Sequence, residues 1–334
     1  MAEPSGSTRD VNAARVARDD ARGGYESWFL RGNHPERPLA FWLRYTTFVP
    51  AGRPRDGLGE LWAVFFDGER GRRAAVRQAF PLRDQHIGRQ GLEVAIGGGR
   101  LTPGAASGSA TNGERTVAWD LGWTSAAPPL LLLPEAMYEA SFPKAKSLVA
   151  APLATFSGVI VVDGEPIAVA GYRGSQNHNW GERHTDVYSW GQVMGFPDAP
   201  ETCLEIATAQ VKVGPILTPK VTIAVVRHAG RELRFDAVHR GLGRATLKEH
   251  DWRFTLKGPD GRVEGRIWAP AGAFACLRYK NPPGGDKFCM NTKLAACELE
   301  ITPSGGRAAR VTTPHGAAFE ELSDAPPPGA HVVS

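Results

Sequence analysis

The feature that most limits how this chain can fold is a series of short segments in which β-branched and aromatic residues recur at every second position. In the first half these are Leu39–Val49, Glu60–Phe66, Ala74–Leu82, Thr116–Trp123, Val159–Val162 and Ile167–Tyr172. Leu204–Val213, Lys220–Arg227, Trp252–Leu256, Val263–Trp268 and Cys297–Ile301 repeat the pattern in the second. Period two is the signature of a strand with one buried face. The pairs Asp67-Gly68, Asn112-Gly113, Asp163-Gly164 and Asp260-Gly261 tolerate the positive φ angles that tight hairpins need. Helical patterns are nearly absent: Pro134–Tyr138 starts one short helix and Asn12–Ala21 suggests another. The expected architecture is all-β and antiparallel, a barrel or a sandwich.

A length of 334 residues favours two domains. Gly195–Glu201, GFPDAPE, interrupts two strand-rich stretches, so the expected division is a first unit over 22–195 and a second over 196–324. Residues 1–21 read as a loose tail, 325–334 as a proline-rich tail, and 97–113, rich in small residues, as a flexible surface loop. No repeat is visible by identity. A net charge of +4 is too small to suggest nucleic acid as a partner. The longest strongly apolar runs, Leu130–Leu133 and Val159–Val162, fall far short of the roughly 18–20 residues of a membrane span. The N-terminus carries no apolar secretory core. The four cysteines form no C-x-x-C pair, which favours reduced thiols and a cytoplasmic location. Phosphate-loop, dinucleotide, nucleophile-elbow and H-E-x-x-H motifs are all absent, so no cofactor and no metal is expected.

One stretch stands apart. Gln176–Gln192, QNHNWGERHTDVYSWGQ, crowds histidines, tryptophans, asparagines, a tyrosine and carboxylates together. If Arg183–Val193 is a strand, alternation places His184, Asp186, Tyr188, Trp190 and Gln192 on one face and only small or apolar side chains on the other. His178 and Trp180 precede it, with Gly181 allowing a bend. Three readings are open. The segment is a fully hydrogen-bonded buried network without chemistry; or a metal site of His178, His184 and Asp186, although H-x5-H-x-D is no recognised ligand spacing; or the wall of a cavity that protonates or polarises an apolar substrate.

The strings Gly174–Gly181 (GSQNHNWG) and Tyr188–Gln192 (YSWGQ) resemble the HNWG…YxWxQ signature of the AttH-like, carotenoid 1,2-hydratase (hydroxyneurosporene synthase) family of tandem lipocalin-like proteins. The lead-in Leu130–Pro134, Tyr138 and Phe142-Pro143-Lys144 is similar too, as are Phe156-Ser157-Gly158, Asp163-Gly164-Glu165 and, downstream, Cys289–Ala295. The resemblance covers most of 25–322. It implies two tandem lipocalin-like antiparallel β-barrels and long apolar substrates, in a group that includes cofactor-free hydratases and cyclases. It maps the hydratase histidine to His178 and a tryptophan to Trp180. The later acidic residue and tyrosine find no match: Glu205 lies in that stretch, but Leu204–Ala207 departs from the expected pairing.

Hydrating, cyclising or isomerising an isoprenoid, polyene or polyketide-like alkene with acid assistance begins with a proton delivered to carbon in a dry pocket. Asp186 and His178 are the expected proton donors. Trp180, Tyr188 and Trp190 would face the resulting cation; Asn177, Asn179, His184 and Gln192 would bind substrate or water. A non-catalytic carrier of a lipid or pigment is the alternative. A carbohydrate-active protein using Glu182 and Asp186 across an open groove is a third. Pocket shape separates them.

Overall fold

The computed structural model describes residues 10–334. Its first half is one curled meander. Strands β1 (Gly24–Asn33), β2 (Leu39–Val49), β3 (Leu58–Asp67) and β4 (Arg72–Pro81) are followed by the short β5 (His86–Ile87) and β6 (Val94–Ile96). Then come β7 (Gly99–Thr102), β8 (Ala105–Thr111), β9 (Thr116–Thr124), β10 (Leu130–Leu131) and a one-turn helix α1 (Ala136–Glu139). The long hairpin β11 (Ala145–Val162) and β12 (Glu165–Gly181) returns the chain to its start, where β12 pairs with β1. The sheet order β4-β3-β2-β1-β12-β11-β9-β8-β7-β6-β5 leaves one gap, between β4 and β5. Across it the Thr111 amide donates to the Gln78 side chain at 3.3 Å.

The second half repeats the plan. It runs through β13 (Val187–Phe196), β14 (Ala199–Gln210), a small separate hairpin β15 (Lys212–Val213) and β16 (Ile216–Leu217), β17 (Val221–His228) and β18 (Arg231–Phe235). It continues through β19 (Ala245–Lys248), β20 (Asp251–Gly258), β21 (Gly261–Trp268), β22 (Ala275–Lys280), β23 (Asp286–Pro303), β24 (Ala309–Ser323) and β25 (Val332–Val333). The order β18-β17-β14-β13-β24-β23-β21-β20-β19 again joins the last long hairpin to the first strand. The architecture is therefore all-β, with two lipocalin-like antiparallel meanders in tandem.

Alternation sorts the side chains. Trp28, Leu30, Phe41, Leu43, Tyr45, Leu61, Trp119 and Phe156 fill the first barrel; Val193, Leu204, Ile206, Trp252, Phe254, Ile267 and Phe319 fill the second. The opposite faces of the same strands meet each other: Phe29, Trp42, Trp62 and Val64 pack against Trp190, Leu277, Tyr279 and Ala318. Each fully buried large apolar side chain contributes about 1.5–3 kcal/mol relative to exposure. Between the barrels, Arg31 donates to the carbonyls of Gln192 and Gly316, and Asn33 to those of Lys293 and His315.

Several segments differ from the reading of the sequence. Residues 97–113 form β7 and β8 rather than a loose loop. Their small side chains are what lets them lie flat on aromatics, since a Cβ at Gly108 would come within 2.7 Å of the Trp119 ring. Tyr45 Oη, which accepts from Trp119 Nε1 at 2.7 Å, bonds the Arg100 and Ser107 carbonyls at 3.0 Å, fastening the same strands from below. No helix forms over 12–21. Of the expected N-terminal tail, residues 1–9 lie outside the described residues. The remainder crosses the end of the first barrel in turns, with the Arg15 and Val16 amides donating to Glu26 and Trp28 Nε1 to the Asn12 carbonyl. In the C-terminal tail, Val332 and Val333 pair in parallel with Cys276 and Leu277. The chain changes sheet between Gly181 and Val187, whereas the boundary read at 195/196 falls one strand later.

Candidate functional site

A cavity of about 280 Å³ lies between the facing walls of the two barrels. From the first barrel it takes Tyr25 and Phe29 of β1, Trp42 and Arg44 of β2, and Asn179 of β12; from the second, Tyr188 and Trp190 of β13, Ala207 and Ala209 of β14, Ile223, Tyr279 and Glu320. The segment between β10 and β11 covers one side with Leu132, Leu133, Met137 and Phe142. The second barrel holds this segment and the residues leading into it: Arg227 donates to the carbonyls of Pro128 and Pro129, before β10, and Arg234 to those of Leu131 and Leu133. The wall is mostly apolar with a few polar groups, as small-molecule sites are.

Those polar groups fall into two sets. On the second barrel, Tyr188 Oη donates to Glu320 at 3.2 Å, and the other Glu320 oxygen accepts from Lys293 Nζ at 2.7 Å and Asn291 Nδ2 at 2.9 Å. Lys293 has no exposed surface, and its ammonium lies over the rings of Trp42 and Trp190. Burial, with Cys289 and Glu320 nearby, holds the Tyr188 phenol well above its usual range. At the other end His184 stacks between Tyr25 and Tyr279, with ring centroids 4.0 and 5.6 Å away. Burial first, then the Arg44 charge, push its imidazole down to about 3, so it is neutral at physiological pH. Behind Trp190, Glu205 accepts from Trp190 Nε1 and Gln192 Nε2, each at 2.8 Å, and burial raises it to about 7.

No family model matches the chain. Two uncharacterized proteins of Mycobacterium tuberculosis, from strains CDC 1551 and H37Rv, are each 27% identical over 305 residues, covering 86% of this chain and 83% of theirs. Among solved structures, an AttH-type protein of Nitrosomonas europaea superposes with a TM-score of 0.57 at 14% identity, covering 96% of this chain and 99% of its own. The chain has the AttH-type fold. Kievitone hydratase from Nectria haematococca aligns at TM-score 0.59 and 12% identity over 96% of both chains. CghA, solved with Sch210972, aligns at 0.53 and 12% over 95% of this chain and 96% of its own.

Within this AttH-type fold the HNWG segment is split by strand parity. On β12, Asn177 and Asn179 face the second barrel; Gln176, His178 and Trp180 face the end of their own barrel. Asn179, His184, Tyr188 and Trp190 line the cavity. Asn177 and Gln192 stand beside it in a buried chain: Gln192 Nε2 donates to Asn177 Oδ1 at 2.7 Å, and Ser175 Oγ to Gln192 Oε1 at 2.7 Å.

The two expected proton donors do not reach the cavity. His178 is fully buried on the far side of β12, stacked on Trp28 and against Trp180, which also lies off the cavity. Its Nδ1 meets the Val11 carbonyl at 2.7 Å and its Nε2 meets Glu26 Oε1 at 2.8 Å. A carbonyl only accepts, so Nδ1 carries a hydrogen, and the histidine ties the N-terminal segment to the barrel. Asp186 precedes β13 rather than lying on it, so strand alternation does not apply there. Its carboxylate accepts from the Lys212 amide at 2.7 Å and lies 3.8 Å from Lys287. Among the described residues no group of three or more His, Cys, Asp or Glu side chains is placed to hold a metal. Glu182 is exposed and paired with Lys144, so it flanks no groove with Asp186. No helix among the described residues is long and apolar enough to cross a membrane.

The sequence reading passed over Arg44, Tyr279 and Glu320. They come from strands remote from the motif, and nothing local distinguishes them. Lys293 is buried between the barrels.

Proposed function

We propose that the protein is a cofactor-independent enzyme that hydrates or cyclises an apolar isoprenoid, polyene or polyketide-like substrate in the cavity between its barrels. The observation that carries this reading is the meeting of a mostly apolar, aromatic wall with a proton-handling pair, Tyr188 and Glu320, on that wall. A hydratase among the proteins of the same fold supports it. In a hydration, Tyr188 gives its proton to one alkene carbon while water attacks the other. Glu320 takes the water's proton and returns it to the phenolate, so the site ends as it began. A phenol held above its ordinary pKa is a weak acid, so the reading calls for a double bond polarised by conjugation. Trp42, Trp190 and Phe29 present ring faces to developing positive charge, each worth about 0.5–2 kcal/mol. In a cyclisation the same wall folds the chain, and orientation alone supplies several kcal/mol.

The second reading, a carrier for an apolar ligand, is favoured by one fact: the carboxylate on the wall is already paired with Lys293. Polyene and isoprenoid substrates incubated in ¹⁸O-labelled water, with products followed by mass spectrometry, separate the two. An enzyme loses turnover at least about 100-fold in Tyr188→Phe and Glu320→Gln while ligand affinity changes little. A carrier releases every ligand chemically unchanged.

A further inference from the structure

We infer that the cavity takes a ligand bearing an anionic oxygen group, a carboxylate or an acidic enol, seated against Arg44, with its apolar remainder along Phe29, Trp190 and Ile223. The inference names a substrate class for the site just proposed, and it rests on that reading of the cavity.

Arg44 lies on the cavity wall with 5% of its surface exposed, yet it makes no ion pair and no hydrogen bond among the described residues, and its Nε is left without a partner. The other buried arginine of the interface, Arg31, shares the unpartnered Nε but donates through its terminal nitrogens to three oxygens. Arg44 instead lies 4.5 Å from the ring centroid of Tyr279 and 5.9 Å from that of Trp42, contacts that hold the guanidinium plane without filling its five donors. A buried guanidinium without acceptors is costly, and such a group persists where something else completes it.

The neighbouring atoms are short of acceptors as well. Trp42 Nε1, on the wall, is buried and unpartnered, and Tyr279 Oη has only the Cys289 thiol beside it; one acceptor, Asn179 Oδ1, accompanies them. The balance of charge agrees. Glu320 is the carboxylate on the wall, and it is held by Lys293, Asn291 and Tyr188. His184 is neutral, and Lys146, at the rim, donates to the Ala140 carbonyl. Glu320 acts on both Lys293 and Arg44, so the cavity keeps more positive than negative charge, Arg44 within and Lys146 at its rim, beside an apolar wall. A planar two-oxygen anion matches the fork of a guanidinium, which neutral polar groups do not.

Calorimetric titration of the full chain with decanoate and with 1-decanol, equal in length and different in charge, tests this. Decanoate is expected to bind at least tenfold more tightly. Arg44→Met is expected to bind the two alike, Arg44→Lys to keep part of the preference, and Lys146→Gln to keep all of it. Without ligand, Arg44→Met is expected to melt above the wild type, because it removes a buried charge lacking an ion pair, whereas an arginine that serves structure alone would lower the melting temperature when removed. Equal or tighter binding of decanol to the wild type, or an undiminished preference in Arg44→Met, overturns the anion inference and leaves the apolar cavity standing. Failure of both probes to bind removes the reading of the cavity and the inference with it. The wild-type comparison needs no variant to fold.

Discussion

Glu205 shows how one buried side chain ties stability to pH. Burial raises its carboxyl to about 7 from 4.5, against the opposing pull of hydrogen bonds from Trp190 and Gln192 and of the Arg31 charge. Between those two values the folded chain keeps a proton that the unfolded chain has released. Its contribution is therefore present in full below pH 4.5 and is lost as pH rises through 7, by up to about 3 kcal/mol. Glu205→Gln stays neutral throughout. The melting temperature of the variant relative to wild type is expected to climb between pH 5 and pH 8, and a flat difference across that range would contradict the assignment. His178 makes a second prediction. Replacing it with alanine removes a ring stacked on Trp28 and leaves the Val11 carbonyl and Glu26 short of a partner. The expected cost is about 2–4 kcal/mol in urea unfolding, with faster tryptic cleavage at Arg18 as the N-terminal segment detaches. Ligand affinity should hold, since the cavity lies across the sheet.

At the scale of the element, parity of two decides what each strand residue can do. The motif Asn177-His178-Asn179-Trp180 reads as one cluster in sequence, yet a strand sends its members alternately to opposite faces. His178 and Trp180 close a barrel end while Asn179 meets the cavity. Of the face expected for His184 through Gln192, Asp186 lies off the cavity because the strand begins only at Val187, and Gln192 stands beside the cavity. Tyr188 and Trp190 do share the cavity face. Parity also governs Gly174, opposite Gly32 in the β1–β12 pairing, where an added Cβ would overlap the Arg31 carbonyl. Gly174→Ala is expected to part β1 from β12 there and to lower the yield of folded protein sharply. Soluble expression followed by circular dichroism checks it.

Over the whole molecule, the barrels meet through Phe29, Trp42 and Trp62 on one side and Trp190, Leu277 and Tyr279 on the other, with Arg31, Asn33 and Lys293 buried between them. An interface built like a core should couple the halves. Scanning calorimetry is expected to show one transition, and residues 10–181 made alone should aggregate through the uncovered aromatics; two separated transitions would show that the barrels unfold independently. The all-β class, the hairpins and the neighbourhood of the site were legible from local pattern, since period two and Asp-Gly turns are properties of adjacent residues. That two similar barrels follow one another came from the family resemblance and not from local pattern, because different side chains satisfy the same strand pattern and no identity survives between them. The cavity was not legible from local pattern either. Arg44, Glu320 and Tyr279 lie more than two hundred residues apart along the chain at their extremes, and only closure of each barrel and the packing of one on the other bring them to one cavity. Local alternation determined which residues a strand can bury; the packing of one barrel on the other decided which buried faces enclose space, because a void between two curved walls belongs to neither strand pattern alone.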